Sequence, residues 1–85
     1  MMTKKKIQAL IDDLTVIQNF CRGEIDSIVE SAEKFGHIVY KYEDIVTLYR
    51  PGYEPLGGPL QTSLDRARGE IRGLQLAIDE LKKGL

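Results

Sequence analysis

Hydrophobic residues recur along this chain every 3.5 residues or so, in two segments separated by a short loop rich in proline and glycine. In the first segment the repeat falls on thirteen positions, of which one is polar: Ile7, Ile11, Leu14, Gln18, Cys21, Ile25, Ile28, Ala32, Phe35, Val39, Tyr42, Val46 and Tyr49. In the second segment it falls on eight apolar positions: Leu60, Leu64, Ala67, Ile71, Leu74, Ile78, Leu81 and Leu85. A repeat shorter than 3.6 residues keeps one stripe facing a partner when helices wrap around each other, so the pattern predicts coiled-coil-like packing.

The loop between the two segments is the clearest boundary in the sequence. Residues 50–59 read RPGYEPLGGP and hold three prolines and three glycines, which end a helix and allow the backbone to reverse. The sequence therefore predicts a first helix over about residues 4–49, a loop over 50–59 and a second helix over about 60–83. This is an all-α helical hairpin, and residues 1–85 form a single domain.

The stretch from His37 to Tyr49 allows two interpretations. Gly36 costs about 1 kcal/mol inside a helix, so a kink or break is expected there. The composition of HIVYKYEDIVTLY, β-branched and rich in tyrosine, is typical of a strand or hairpin. We favour a continuing helix because its apolar residues stay in register with the upstream stripe, and because a hairpin turn at Glu43 and Asp44 would lack glycine or asparagine.

The two predicted helices differ in length, which predicts self-association. A second helix of about 24 residues spans roughly 36 Å, whereas a first helix from Lys4 to Tyr49 spans roughly 69 Å. The uncovered part of the stripe would mark an association surface, so we expect a homodimer that forms an antiparallel four-helix bundle. The predicted self-association residues are Ile7, Leu10, Ile11, Leu14, Ile17 and Gln18. Gln18 either pairs with its symmetry mate or another polar group and fixes the register, or reaches water beside a frayed helix end.

Four tyrosines lie within fourteen residues beside an arginine, and tyrosine and arginine are frequent interface anchors. The predicted partner-binding residues are Tyr40, Tyr42, Tyr49, Arg50 and Tyr53. In the alternative interpretation, Tyr42 and Tyr49 only pack the end of the bundle while the other two are merely exposed. A candidate second groove on the outward face of the second helix consists of Gly69, Gly73 and Leu76, although these residues also fit ordinary surface variation.

Charge and residue chemistry argue against several classes of function. The chain has 12 basic and 13 acidic residues, a net charge of −1, one histidine and one cysteine. We therefore expect no catalytic site, no metal, no cofactor, and no main role in gripping nucleic acid. No apolar run is long enough to cross a membrane, and the N-terminal lysines are followed by acids rather than by an apolar signal core, so we expect a cytoplasmic protein.

These observations favour a non-enzymatic protein–protein interaction module, such as a small adaptor, assembly chaperone or inhibitor that docks on a larger protein machine. One alternative is a nucleic-acid-associated regulator, whose basic residues would be Lys4, Lys5, Lys6, Arg66, Arg68, Arg72, Lys82 and Lys83. Another is a structural subunit that assembles with copies of itself through a non-closing contact.

Overall fold

The computed structural model describes residues 2–85 and contains two long helices joined by a small antiparallel sheet. The elements are α1 (Lys4–Lys34), β1 (Ile38–Tyr42), β2 (Ile45–Arg50), β3 (Glu54–Pro55) and α2 (Gly58–Lys82). The strands lie in the order β1-β2-β3, with β2 in the centre. The prediction of an all-α hairpin is therefore wrong, because a three-stranded sheet lies between the two helices in sequence.

Helix α1 begins where the sequence predicts and ends earlier. Thr3 caps its first turn, where the Thr3 hydroxyl accepts a hydrogen bond from the Lys6 N–H at 3.2 Å. The helix ends at Lys34 because Gly36 adopts a left-handed backbone with φ of +82°. The N–H of His37 then closes onto the carbonyl of Ala32 at 3.0 Å, so Gly36 terminates the helix instead of kinking it.

Residues 38–49, which we predicted to be helical, form a β-hairpin. Ile38 pairs with Tyr49, and Tyr42 pairs with Ile45 across the turn. The prediction failed because it required glycine or asparagine in the turn at Glu43 and Asp44. Asp44 lies in the turn itself, and Glu43 supplies the positive φ of +55° that glycine usually provides.

The loop predicted over residues 50–59 is partly ordered into the sheet. Strand β3 is two residues long and pairs Pro55 with Tyr49, and the Leu56 N–H extends the pairing to the Leu48 carbonyl at 2.9 Å. Helix α2 follows directly, beginning at Gly58 with Pro59 in its first turn, where a missing N–H costs nothing.

The hydrophobic core runs along the helix pair in two clusters. In one, Val46 and Leu48 on the inner face of the sheet pack against Val29, Ala32 and Leu64 of the helices. In the other, at the opposite end of the molecule, three isoleucines pack together: Ile7, Ile11 and Ile78. The molecule is rod-shaped, 55 × 18 × 17 Å, with the sheet against one side of the helix pair at one end.

The expected mismatch between helix lengths is largely absent. With 31 residues, α1 spans about 46 Å, and the 25 residues of α2 span about 37 Å. Helix α2 buries Ile7, Ile11 and Gln18, and Leu14 is half-buried, so the prediction of an uncovered stripe is wrong at those positions. Leu10 and Ile17 remain exposed, and the homodimer remains a prediction.

Candidate functional site

The outward side of the sheet presents apolar and aromatic residues to solvent. Side chains alternate between the two faces of a strand, and Val46 and Leu48 point into the core. The residues that alternate with them along β2 therefore point outward, and so do the β1 residues paired with those outward-pointing residues. We call this set the outer sheet face: Ile38, Tyr40, Tyr42, Ile45, Thr47 and Tyr49. None of its six residues is charged.

A pocket of about 360 Å³ lies on this face, lined by Ile38, Tyr40, Tyr49 and Tyr53. Tyr40 is 57 % exposed and Tyr53, from the turn before β3, is 74 % exposed. The positive φ of Tyr53, +65°, directs the chain through a tight turn here, and its N–H donates to the Arg50 carbonyl at 2.9 Å. The pocket is therefore built from two strands and the turn that follows them.

This arrangement differs from that of an ordinary two-layer protein. An antiparallel sheet with one face on a core usually places polar residues on its other face, whereas here both faces are apolar. Exposed apolar patches of this kind mark interaction sites, and tyrosine combines a large contact area with a polar hydroxyl. The face can therefore bury an apolar side chain of a partner and hydrogen-bond to the groups around it.

The structure brings three of the five predicted partner-binding residues around this one pocket: Tyr40, Tyr49 and Tyr53. Tyr42 lies further along the same face, and Arg50 is exposed at the end of β2, paired in register with Glu54. The sequence-based prediction of this site missed Ile38, Ile45 and Thr47. The signal was present as alternation in Ile38, Tyr40 and Tyr42 and again in Ile45, Thr47 and Tyr49, but the competing helical register concealed it.

The candidate second groove is not formed against another element. Gly69 and Gly73 are exposed, and a Cβ atom built on either would meet nothing within 4 Å. Leu76 is 72 % exposed on the same side of α2. These three residues lie on the outer edge of α2, and the structure brings no other segment of residues 2–85 over the two glycines.

Polar residues inside the helix pair serve packing. Gln18 is 3 % exposed, and its amide nitrogen Nε2 donates to the Ile71 carbonyl at 3.1 Å and to Gln75 Oε1 at 3.0 Å. Cys21 is buried, and its thiol donates to Glu70 Oε2 at 3.3 Å. Burial raises the pKa of the Cys21 thiol and the neighbouring Glu70 raises it further, so the thiol stays protonated and unreactive at neutral pH.

Neither a metal centre nor a membrane span is found in the described part of the chain. Within residues 2–85, no group of three or more histidine, cysteine, aspartate or glutamate side chains is arranged to hold a metal ion. Over the same residues, neither helix combines the length and apolar character needed to cross a bilayer. Comparison of the chain with protein families, curated proteins and solved structures finds no match.

Proposed function

We propose that this protein is a non-enzymatic, cytoplasmic interaction module that binds a partner protein through its outer sheet face. The observation that carries the proposal is the uncharged aromatic face with a pocket between Tyr40, Tyr49 and Tyr53. A small protein of this kind acts as an adaptor, assembly chaperone or inhibitor on a larger protein. A cytoplasmic location suits the single Cys21 thiol, which has no disulfide partner in the chain.

The chemistry of the face supports an expectation about the kind of partner it would bind. The pocket accepts an apolar side chain, because three tyrosine rings and Ile38 line it. Arg50 does not border this pocket, because it follows Val46 and Leu48 on the inner side of β2 and lines a depression at the start of α2. The six residues of the outer sheet face carry no charge, so the expected partner surface is an exposed apolar anchor residue with uncharged neighbours.

The size of the face predicts a reversible interaction. Each of the more exposed tyrosines leaves on the order of 100 Å² accessible, so the whole face offers roughly 500 Å². A standard stable interface buries about 800 Å² on each partner. A complex confined to this face is therefore small, and it falls in the range of transient recognition rather than permanent assembly.

Affinity capture from the source cells tests this function. The immobilised protein is compared with a Tyr40→Ser/Tyr53→Ser double variant and with a Leu76→Ser control, which removes an equally exposed apolar side chain on the far edge of α2. We expect the double variant to capture at least about tenfold less partner than the unaltered protein, because truncating anchor residues has effects of that size. The control should capture as much partner as the unaltered protein. Full capture by the double variant would overturn the proposal.

A further inference from the structure

The side of the helix pair opposite the sheet carries a second apolar surface. The sheet lies on the side of α1 that includes Arg22, which lines a depression together with Asp44 of the β1–β2 turn. The opposite side of α1 presents Leu10, Ile17, Phe20 and Ile28 at helical spacing, and we call these four residues the open flank. Phe20 is 70 % exposed, and it shares a depression with Ile28 and with Ser63 of α2, so this flank extends across both helices.

The open flank differs from the rest of the helix surface. Gln8 lies two heptads before Arg22, and therefore on the sheet side of α1. There the residues beyond the sheet are polar, and Gln8 donates to Asp12 at 2.9 Å. The sheet side of α1 thus lacks the apolar stripe that the open flank carries.

Contacts between the helices establish which residues of this flank lie at the same height, meaning the same position along the length of the helix pair. Cys21 contacts Glu70, and Ile7 reaches the position of Gly84. Because the helices are antiparallel, counting along both chains from these contacts places Leu10 level with Leu81 and Ile17 level with Leu74. The same count places Glu24 level with Ala67, one residue from Arg66.

We infer that a second copy of this chain covers the open flank, with a twofold axis parallel to the helices. Rotation about this axis leaves each residue at the same height in both copies, and it lays α1 of each copy on α2 of the other. Leu10 then faces Leu81 of the second copy, and Ile17 faces Leu74 of the second copy. Glu24 faces Arg66 of the second copy, and neither of these two residues has an ion pair among residues 2–85.

The alternative twofold axis, perpendicular to the helices, lays α1 on α1. The charged residues of α1 on this flank are Lys6, Asp13 and Glu24, and this axis does not place Glu24 beside Arg66 of the second copy. The parallel axis does, and it therefore gains a contact between opposite charges.

The area of the open flank fits a small, reversible dimer. From Leu10 to Ile28, α1 extends about 27 Å, and the molecule is 18 Å wide. The resulting footprint of roughly 490 Å² per copy is below the 800 Å² or so of a standard interface and lies in the range of weaker association. The dimer would be a four-helix bundle whose two sheets lie on opposite outer sides.

This arrangement makes the dimer bivalent. The outer sheet faces of the two copies point in opposite directions, so two partner molecules can bind at once and gain avidity from the linkage. The bivalence rests on the proposed function, whereas the dimer does not.

Sedimentation equilibrium tests the dimer, with Phe20→Glu as the disrupting variant and Leu76→Glu as its matched control. Both side chains are more than two-thirds exposed, so both variants should fold, which circular dichroism verifies. We expect the unaltered chain to dimerise, Phe20→Glu to raise the dissociation constant at least about 100-fold, and Leu76→Glu to leave it unchanged. A monomeric unaltered chain, or a dimer insensitive to Phe20→Glu, would overturn the inference.

A mixing experiment tests the orientation. Glu24→Arg alone and Arg66→Glu alone each place like charges together and should weaken the dimer about tenfold. In an equimolar mixture of the two variants, the heterodimer pairs the two introduced side chains with each other at one contact and the native Glu24 with the native Arg66 at the other. The mixture should therefore recover most of the original affinity, and absence of recovery would overturn this orientation. Tyr40→Ser/Tyr53→Ser should leave dimerisation intact, which separates failure of the dimer from failure of the proposed function.

Discussion

Gln61 of α2 completes the backbone hydrogen bonding of Leu48 in the central strand. The Leu48 N–H donates to Gln61 Oε1 at 2.8 Å, and Gln61 Nε2 donates to the Val46 carbonyl at 2.9 Å. Strand β3 is only two residues long and does not reach this part of β2. A helix side chain therefore stands in for the missing strand, and it fixes α2 against the sheet.

Replacing Gln61 should be costly for stability. Gln61→Leu keeps the size of the side chain but leaves the Leu48 N–H and the Val46 carbonyl without a partner, which should lower the free energy of unfolding by about 2–3 kcal/mol. Urea denaturation measures this change. Gln8→Leu is the control, because Gln8 is exposed, and it should change stability by less than about 0.5 kcal/mol. Equal effects of the two substitutions would show that Gln61 does not complete the sheet.

The hairpin turn offers a stabilising substitution. Glu43 has a positive φ in a two-residue turn, a conformation that side chains strain and glycine tolerates. We expect Glu43→Gly to raise the free energy of unfolding by about 0.5 kcal/mol, since relief of strain exceeds the added flexibility of the unfolded chain. Thermal unfolding of this variant beside the unaltered protein checks the sign. A clear decrease in stability would mean that the Glu43 side chain makes a stabilising contribution.

Gln18 provides a test of what a buried polar residue contributes. Gln18→Leu should change stability by less than about 1 kcal/mol, because the Ile71 carbonyl keeps its helical hydrogen bond and Gln75 can reach water. Gln18→Ala should cost about 2–3 kcal/mol, because it also leaves a cavity between the helices. The two variants are compared by urea denaturation. If Gln18→Leu is the more damaging of the two, the hydrogen bonds matter more than the packing.

The raised pKa of the Cys21 thiol predicts that the free energy of unfolding depends on pH in the alkaline range. Its pKa is raised in the folded protein, so above about pH 9, where an unfolded thiol ionises, the unfolded chain loses a proton that the folded chain retains. The contribution of this thiol to the free energy of unfolding is therefore complete below about pH 9, and it declines as pH rises towards the pKa of the thiol in the folded protein. The free energy of unfolding of the unaltered protein should fall relative to that of Cys21→Ala over this range. A constant difference between the two would contradict the raised pKa.

The sequence predicts the start of α1 and the bounds of α2 well, because the evidence for them is local. Helix α1 begins at Lys4 as predicted, although it ends at Lys34 rather than near residue 49, and α2 differs from the predicted range 60–83 by two residues at its start and one at its end. The stripe that joins the helices is also largely correct, from Ile7 and Ile11 against Ile78 to Leu64 in one cluster with Ala32. Periodicity and capping specify these features without knowledge of distant contacts.

The sheet was missed because its residues satisfy two periods at once. Val39, Tyr42, Val46 and Tyr49 continue the helical repeat, and the same segment alternates as two strands. The features that decide between a helix and a sheet here are tertiary contacts. Gln61 completes the hydrogen bonds of β2, and Arg68 Nε lies 3.2 Å from Asp44 Oδ2 as an ion pair that holds the turn on α2. Neither contact is visible in the local pattern, in which Gly36 and the strand-like composition of residues 37–49 were the signals of a break.

Site-specific photocrosslinking tests the binding role of the outer sheet face most directly. The photoreactive residue p-benzoylphenylalanine replaces Tyr40, Tyr53 or Leu76 in separate variants, and each is irradiated in a lysate of the source cells. We predict that positions 40 and 53 crosslink to the same partner protein and that position 76 does not. Crosslinking from position 76, with none from 40 or 53, would contradict the binding role of this face.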